Sequence, residues 1–480
     1  MSGDSKVPPD LDPVHGRTDD PLSADRRVLV VGAIAMVALI LVGVVSAALF
    51  TRSACGRIVP DPVLPRAGGA DVESVIDEAL PDLFDDERSV LVEFLTGTDL
   101  GQRVGEVVAA VDVTGAERLV PATDGLVAAT GTTTTLFEPG SGAVRATTSV
   151  GDGAVVGDGD TLYSLALTNP GTGQTDALVA LDRALEGGDC LDTATVGTPF
   201  AFLLGAGAGE LLLFRVEEDG ETPEVELRDA ERGEIWATPL QTPQIPPGVS
   251  GERLDAAMDA DTVVVGRRFV ADDEAPVLSG FDRATGEERW TTPVAAFDEI
   301  APPGDGPVWV EVLAVDGDTA LLGLARDDAD DDARDDARDA AHLVAVDTAD
   351  GAIRWISDAD PVAPLAASIG GDAVTVVGMG GAGLEVVRLA VGDGSPIGAA
   401  ASPVADTEQP PVRGGIAELP GGTLAVAGSG AVHLSADEVA AFGFDPAVAA
   451  QIVDVVAVGD VTVLLIVSGD GAVGVSFRAS

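Results

Sequence analysis

Side chains able to do chemistry are scarce in this chain, and their spacing argues against most reactions. The three histidines are His15, His342 and His433. The first lies in a polar N-terminal stretch and the other two are about ninety residues apart, so no three-histidine metal site within one domain is expected. A Ser-His-Asp relay would need a nucleophile-elbow sequence to expose its serine, and none is present. The single lysine, Lys6, excludes a G-x-x-x-x-G-K phosphate loop. Gly378, Gly380 and Gly383 have the spacing of dinucleotide-binding glycines, but residues 384–391 read as a strand rather than a helix that could receive a pyrophosphate. A hairpin turn is expected there, and likewise at residues 205–209. The acidic run 326–341, RDDADDDARDDARDAA, lacks the calcium-loop spacing and its downstream glutamate, and reads as an exposed loop too charged to bury itself. Cys55 and Cys190 sit in no C-x-x-C spacing. Either they form a disulfide, which requires an oxidising compartment, or they are two unpaired small apolar residues. No catalytic residue, cofactor or metal ligand is assigned.

What does recur is a turn. In residues 280–290, GFDRATGEERW, a strand ends at Asp282, turns through Thr285 and Gly286, and returns to Trp290. Gly286 supplies a positive φ, Asp282 and Thr285 can bond the turn backbone, and Trp290 is an apolar plate with one N–H to satisfy. Residues 345–355, AVDTADGAIRW, hold Asp347, Gly351 and Trp355 at the same offsets. Residues 227–236, LRDAERGEIW, hold Asp229, Gly233 and Trp236 with one residue fewer before the tryptophan. Weaker copies place Glu138 and Gly142, Asp182 with Cys190 at the tryptophan position, and Ala390 with Gly394. The aspartate positions 138, 182, 229, 282, 347 and 390 are 44, 47, 53, 65 and 43 residues apart, a period that fits propeller blades of about 40–50 residues. The acidic run accounts for the widest gap.

The pattern A-x-D-x-x-T-G-x-x-x-W resembles the blade motif of pyrroloquinoline-quinone-type β-propellers. That group holds the quinoprotein alcohol dehydrogenases and the non-enzymatic barrel-assembly lipoprotein of Gram-negative outer membranes. The resemblance covers roughly residues 107–480 and implies the fold more strongly than an activity. The dehydrogenases hold their quinone between a tryptophan and a disulfide of adjacent cysteines. Here the cysteines are not adjacent, three of the four tryptophans (Trp236, Trp290 and Trp355, but not Trp309) occupy the motif position, and no catalytic aspartate carries over. The non-enzymatic branch is therefore the expected one, with a quinoprotein oxidoreductase or a ligand sensor as alternatives.

These motifs need strands to carry them. Aromatic residues are 4% and hydrophobic residues 46%, so the core must be built of Val, Leu and Ala, which suits short strands. Eight Gly/Asp openings recur before apolar runs: 124–125, 158–160, 207–209, 259–261, 316–318, 370–372, 421–422 and 459–460. The expected architecture is all-β, a propeller of about eight, alternatively seven, four-stranded blades preceded by one transmembrane helix. Ring closure would pair a C-terminal strand (461–467 or 472–477) with an N-terminal one, either 107–113 or 90–95. Residues 435–453, with Ser435 and Glu438 in capping-box spacing and Asp445-Pro446 as a helix start, read as a helical decoration.

Ahead of the propeller, residues 1–27 form a polar tail. Residues 28–50, from Val28 to Phe50, are 23 uncharged and mostly apolar residues, enough to cross a bilayer as a helix. Residues 52–55 resemble a lipoprotein cleavage site, but Arg52 stands where an aliphatic residue belongs, so an uncleaved anchor is expected. Lys6, Arg17, Arg26 and Arg27 precede the span and Arg52, Arg57 and Arg66 follow it. That bias favours an N-terminus inside and a propeller outside. Residues 51–89 read as a linker and a stalk helix over 71–80 capped by Asp71, and 90–480 as the propeller. The net charge of −53 repels nucleic acid and anionic headgroups. The expectation is an anchored, non-catalytic platform for a protein or envelope partner.

Overall fold

The computed structural model describes residues 57–58, 61–62 and 66–479 apart from connections between strands, the longest being 241–253, 327–340 and 402–412. The expected tail, the membrane span 28–50, Cys55 and most of the acidic run lie outside the described residues. Among the described residues no helix is long and apolar enough to cross a membrane.

Eight antiparallel sheets follow one another, each with four blade strands from inside to outside, and three of them carry a short fifth strand on the outer edge. Blade 1 is Arg118–Ala122, Gly125–Ala129, Thr134–Glu138 and Ala143–Ser149, and blade 2 runs from Val156–Gly157 to Gly188–Thr193. Blades 3 to 7 open at Phe202–Gly207, Leu254–Met258, Val308–Asp316, Ala363–Gly370 and Gly414–Leu419. Their outer strands are Gly233–Pro239, Glu288–Pro293, Ile353–Ile356, Pro396–Ala401 and Val439–Gly443. Consecutive inner strands touch all the way round, blade 8 meeting blade 1, so the ring is closed. The count is eight, not seven, and every Gly/Asp opening falls between the first and second strands of a blade.

Middle strands are sandwiched between neighbouring blades and read as unbroken apolar runs. Thr262–Arg267 is buried along its whole length. Outer strands bury one face only, and Glu288–Pro293 accordingly alternates. The core is thus a ring of interfaces: Val264, Leu278 and Trp290 of blade 4 pack with Val310, Leu322 and Val344 of blade 5.

Blade 8 is completed from the other end of the chain. Gln451–Val458, Val461–Ser468 and Gly471–Arg478 supply three strands, and Glu106–Asp112 pairs with the last of them, Val475 opposite Ala110. Residues 90–95, the other expected partner, are not a strand. They lie in helix α2 (Asp85–Thr96), between α1 (Val72–Ala79) and α3 (Thr98–Arg103). Leu91 and Leu95, four apart, turn one face of α2 to the core, and Asp85, Asp86 and Glu87 favour its first turn. The four-stranded blades therefore begin at residue 106 rather than 90. Asp71 caps α1 as expected, accepting from the Ser74 N–H at 3.3 Å. The three helices pack on blades 7 and 8 through Ile76, Leu80, Leu91 and Leu95.

The helical decoration expected over 435–453 is also overturned. Ser435 and Glu438 close a hairpin: the Ser435 N–H donates to the Glu438 carbonyl at 2.9 Å and the Glu438 N–H to Ser435 Oγ at 3.1 Å. The strand Val439–Gly443 follows. Asp445 accepts from the Ala447 N–H at 2.9 Å, an Asx turn rather than a helix start. The two glycine-rich stretches are hairpins, Gly380 pairing with Gly383 and Gly207 with Glu210. The strands on either side of the acidic run pair with each other, Leu324 opposite His342.

One feature had no sequence signal. The linker lies along the outer edges of three blades in descending order. Arg57–Ile58 pairs with the outer strand of blade 2, Asp61–Pro62 with that of blade 1, and Gly68–Gly69 with Glu106–Asp112 of blade 8.

Candidate functional site

The motif residues come together in pairs of neighbouring blades. Trp236 of blade 3 lies over Gly286 of blade 4 and donates its indole N–H to the Arg283 carbonyl at 2.7 Å. Trp290 lies over Gly351 of blade 5 and donates to the Thr348 carbonyl at 2.7 Å. Trp355 lies over Gly394 of blade 6 and donates to the Val391 carbonyl at 2.7 Å. Each glycine has φ near +70°, at +69, +71 and +68°. A methyl group on Gly286, Gly351 or Gly394 would stand 2.5 Å from a ring carbon of the covering indole, so the turn must be glycine for two independent reasons.

Within the turns the acidic residue does the work expected of it. Asp282 accepts from the Thr285 N–H at 2.9 Å and the Thr285 hydroxyl at 3.0 Å, and Asp347 from the Ala349 N–H at 2.8 Å. Asp229 pairs with Gly233, which has φ +84°. Cys190 lies in the outer strand of blade 2, opposite Val179 as Trp355 is opposite Ala345. In blade 1 Gly142 is covered by backbone instead of an indole: a methyl there would meet the Ala110 carbonyl and the Gly69 N–H at under 3 Å, 2.8 and 2.9 Å away.

Sequence reading missed the arginine before the tryptophan. Arg354 bonds Asp318 at 2.7 Å and the Thr319 hydroxyl at 2.7 Å, clamping the outer strand to the opening turn of its own blade. That bond, with help from Thr319, holds the Asp318 carboxyl down to about 2. Arg289 clamps Asp282 at 2.5 Å and reaches the Thr262 hydroxyl at 3.3 Å, and this contact lowers the Asp282 carboxyl below its ordinary value. The signal was the repeated Arg-Trp dipeptide. All of these groups are engaged in holding blades together.

A second cluster sits where the ring closes. Asp454, on the inner strand of blade 8, accepts from the Leu119 N–H of blade 1 and from the Val455 N–H, both at 2.8 Å. Arg413, at the start of blade 7, spans to Glu117 beside blade 1 at 3.2 Å. Burial pushes the Asp454 carboxyl up to about 6, against the pull of its two backbone donors, Arg118 and Arg413. Burial, then Arg413, lowers the Arg118 guanidinium. Because the folded value of Asp454 lies above its ordinary 3.8, its contribution to stability is fully present below 3.8 and is lost as pH rises through 6. Asp454→Asn should remove this dependence. Comparing urea midpoints at pH 4.5 and 7.5, wild type should gain roughly 2 kcal/mol more than the variant on acidification. Equal gains would show that Asp454 is solvated.

A third arrangement faces solvent. Among the described residues, the exposed large hydrophobics are Ile235, Ile353, Ile356, Ile397 and Val439, all on outer strands of blades 3, 5, 6 and 7, with Phe84 just before α2 and Val90 on it. Ile397 and Val439 are 53% and 52% exposed and Phe84 73%. Apolar residues gathered on sheet edges are what soluble proteins avoid unless something covers them. This outer belt is the candidate functional surface.

No family model matches the chain, the pyrroloquinoline-quinone-type repeat included, and no curated protein matches it. Solved structures do match over most of its length. The structure of BamB from Moraxella catarrhalis is 16% identical, with TM-score 0.47, covering 77% of this chain and 99% of that one. The computationally designed Ika8 protein is 12% identical, with TM-score 0.50, over 76% and 96%. The C-terminal WD40 domain of Sif2 is 12% identical, with TM-score 0.46, over 77% and 97%. At these identities the likeness is one of fold alone.

Proposed function

We propose that this chain is a membrane-anchored propeller whose outer belt binds a protein partner outside the cytoplasm, with no chemistry of its own. The observation that carries the reading is the concentration of exposed aliphatic side chains on the outer strands of blades 3, 5, 6 and 7. The apolar stretch 28–50 supports the anchor and the charge bias around it supports the orientation. The acidic surface favours a partner with a basic contact face, because opposite charge steers encounter.

The test uses the full chain in the membranes of producing cells. A photo-crosslinking residue is placed at Ile235, Ile353 or Ile397, and at Asp350 in an exposed motif turn as the control. The expected result is a discrete adduct from belt positions, absent from Asp350; the adducts from Ile235 and Ile397 are abolished by Ile353→Asp with Ile356→Asp. No belt adduct, or an equal one from Asp350, would sink the reading.

A further inference from the structure

The structure assigns a peptide-docking site to the open edge of blade 7: we infer that it takes an extended segment, apolar at alternate positions and basic between them, by strand addition. This rests on the partner-binding reading above and names the chemistry of one such contact.

The edge is available and its polarity is fixed. Val439–Gly443 is the last strand of its sheet. The bonds from the Ser435 N–H to the Glu438 carbonyl and from the Phe444 N–H to the Ser429 carbonyl set the phase of the hairpin. Glu438, Ala440 and Phe442 therefore turn their backbone groups inward to the third strand. Val439, Ala441 and Gly443 turn N–H and C=O toward the free edge. Such a row is a template for another strand.

Beside that edge, between blade 7 and helices α2 and α3, lies a groove of about 400 Å³. Phe94, Phe442 and Phe444 line it with Val90, and Glu93 and Asp445 stand at its rim. Phe94 meets Phe444 edge-on at 5.3 Å between ring centres and Phe442 at 6.4 Å. A strand laid on the edge would send every second side chain toward these rings. The carboxylates at the rim favour Lys or Arg between the apolar positions.

The molecule also shows what kind of segment such edges accept. The outer edges of blades 8, 1 and 2 each pair with two of the chain's own residues, Gly68–Gly69, Asp61–Pro62 and Arg57–Ile58. Arg66 reaches Asp112 of the blade 8 edge at 3.5 Å. Blade 7 is the next edge beyond blade 8, and among the described residues no further strand pairs with it.

The experiment uses the full chain in detergent and a fluorescent nine-residue peptide in which lysine alternates with valine and phenylalanine, read by anisotropy. Ala441→Pro deletes one outward N–H and breaks no bond within the blade, and should weaken binding at least tenfold. Ala441→Thr keeps the N–H and should bind within twofold of wild type. Phe94→Ala empties part of the groove and should weaken binding about tenfold. Equal binding by wild type and Ala441→Pro would mean that charge alone attracts the peptide, and would overturn the proposal. So would a concentration-dependent dimer abolished by Ala441→Pro, which would make the occupant a second copy. Belt crosslinks at Ile235, Ile353 and Ile397 are scored separately, so failure at blade 7 is distinguishable from failure of the wider reading.

Discussion

Trp290→Ala is expected to cost about 3–5 kcal/mol, read as a fall in the urea midpoint of the full chain. The side chain is 8% exposed, and its loss opens a void between blades 4 and 5 lined by Val344, Val346 and Leu322. It also leaves the Thr348 carbonyl without its indole donor, which by itself is worth about 1–3 kcal/mol where water cannot enter. Trp290→Phe keeps most of the apolar area and loses the donor, so it should fall between wild type and Ala. The reciprocal change, Gly351→Val, should cost as much from the other side of the interface. It forces a branched residue to φ +71° and drives its Cβ to 2.5 Å from the ring. Combining Gly351→Ala with Trp290→Ala relieves the clash, so the double variant should cost less than the sum of the two, by about 1–3 kcal/mol. A Trp290→Ala cost below about 1 kcal/mol, or strict additivity, would show that the indole does not lock the two blades.

The second large effect is at the ring closure. A chain beginning at residue 113 lacks Glu106–Asp112 and should fail to give soluble, cooperatively melting protein. The strand it loses is the outer member of blade 8, and Ala109, Ala110 and Val111 on it are completely buried. Without them Gly471–Arg478 becomes a bare apolar edge, which is a template for aggregation. The backbone pairing over Val107–Asp112 is lost as well, at about 1 kcal/mol for each bond. A chain beginning at residue 66 keeps the helices and the closing strand, and should melt within a few degrees of the intact protein. The comparison is made by light scattering and thermal melting on the two truncations side by side. Soluble, cooperative melting of the shorter one would show that blade 8 is stable with three strands.

The blades were legible because their determinants are local. Asp282, Gly286 and Trp290 lie within nine residues of one another, and each has a steric or hydrogen-bonding reason that depends only on type and offset. The opening turns were legible for the same reason. Long-range choices left no such mark. Residues 90–95 and 107–113 are both short apolar runs, and only pairing with a strand more than 350 residues away tells the closing strand from the helix. Ser435 and Glu438 carry a signature that serves a helix start or a hairpin turn equally, and the neighbouring strand decides between them. Asp454 is one polar residue in the apolar run QIVDVVAV. Its role appears only when blade 1 brings the Leu119 N–H to it. The belt residues Ile353 and Ile356 read as ordinary strand positions, since sequence does not say which strand of a blade is outermost.

The three short pairings of the linker have a mechanical consequence. They are connected in series between whatever holds the chain ahead of residue 57 and the strand that closes the ring. Tension applied from that side meets the blade 2 edge first, then blade 1, then blade 8, two residues at each. Each contact yields alone and lengthens the tether before load reaches Glu106–Asp112. Under such a load the linker would act as a shock absorber, with the ring still shut as the pairings opened in turn.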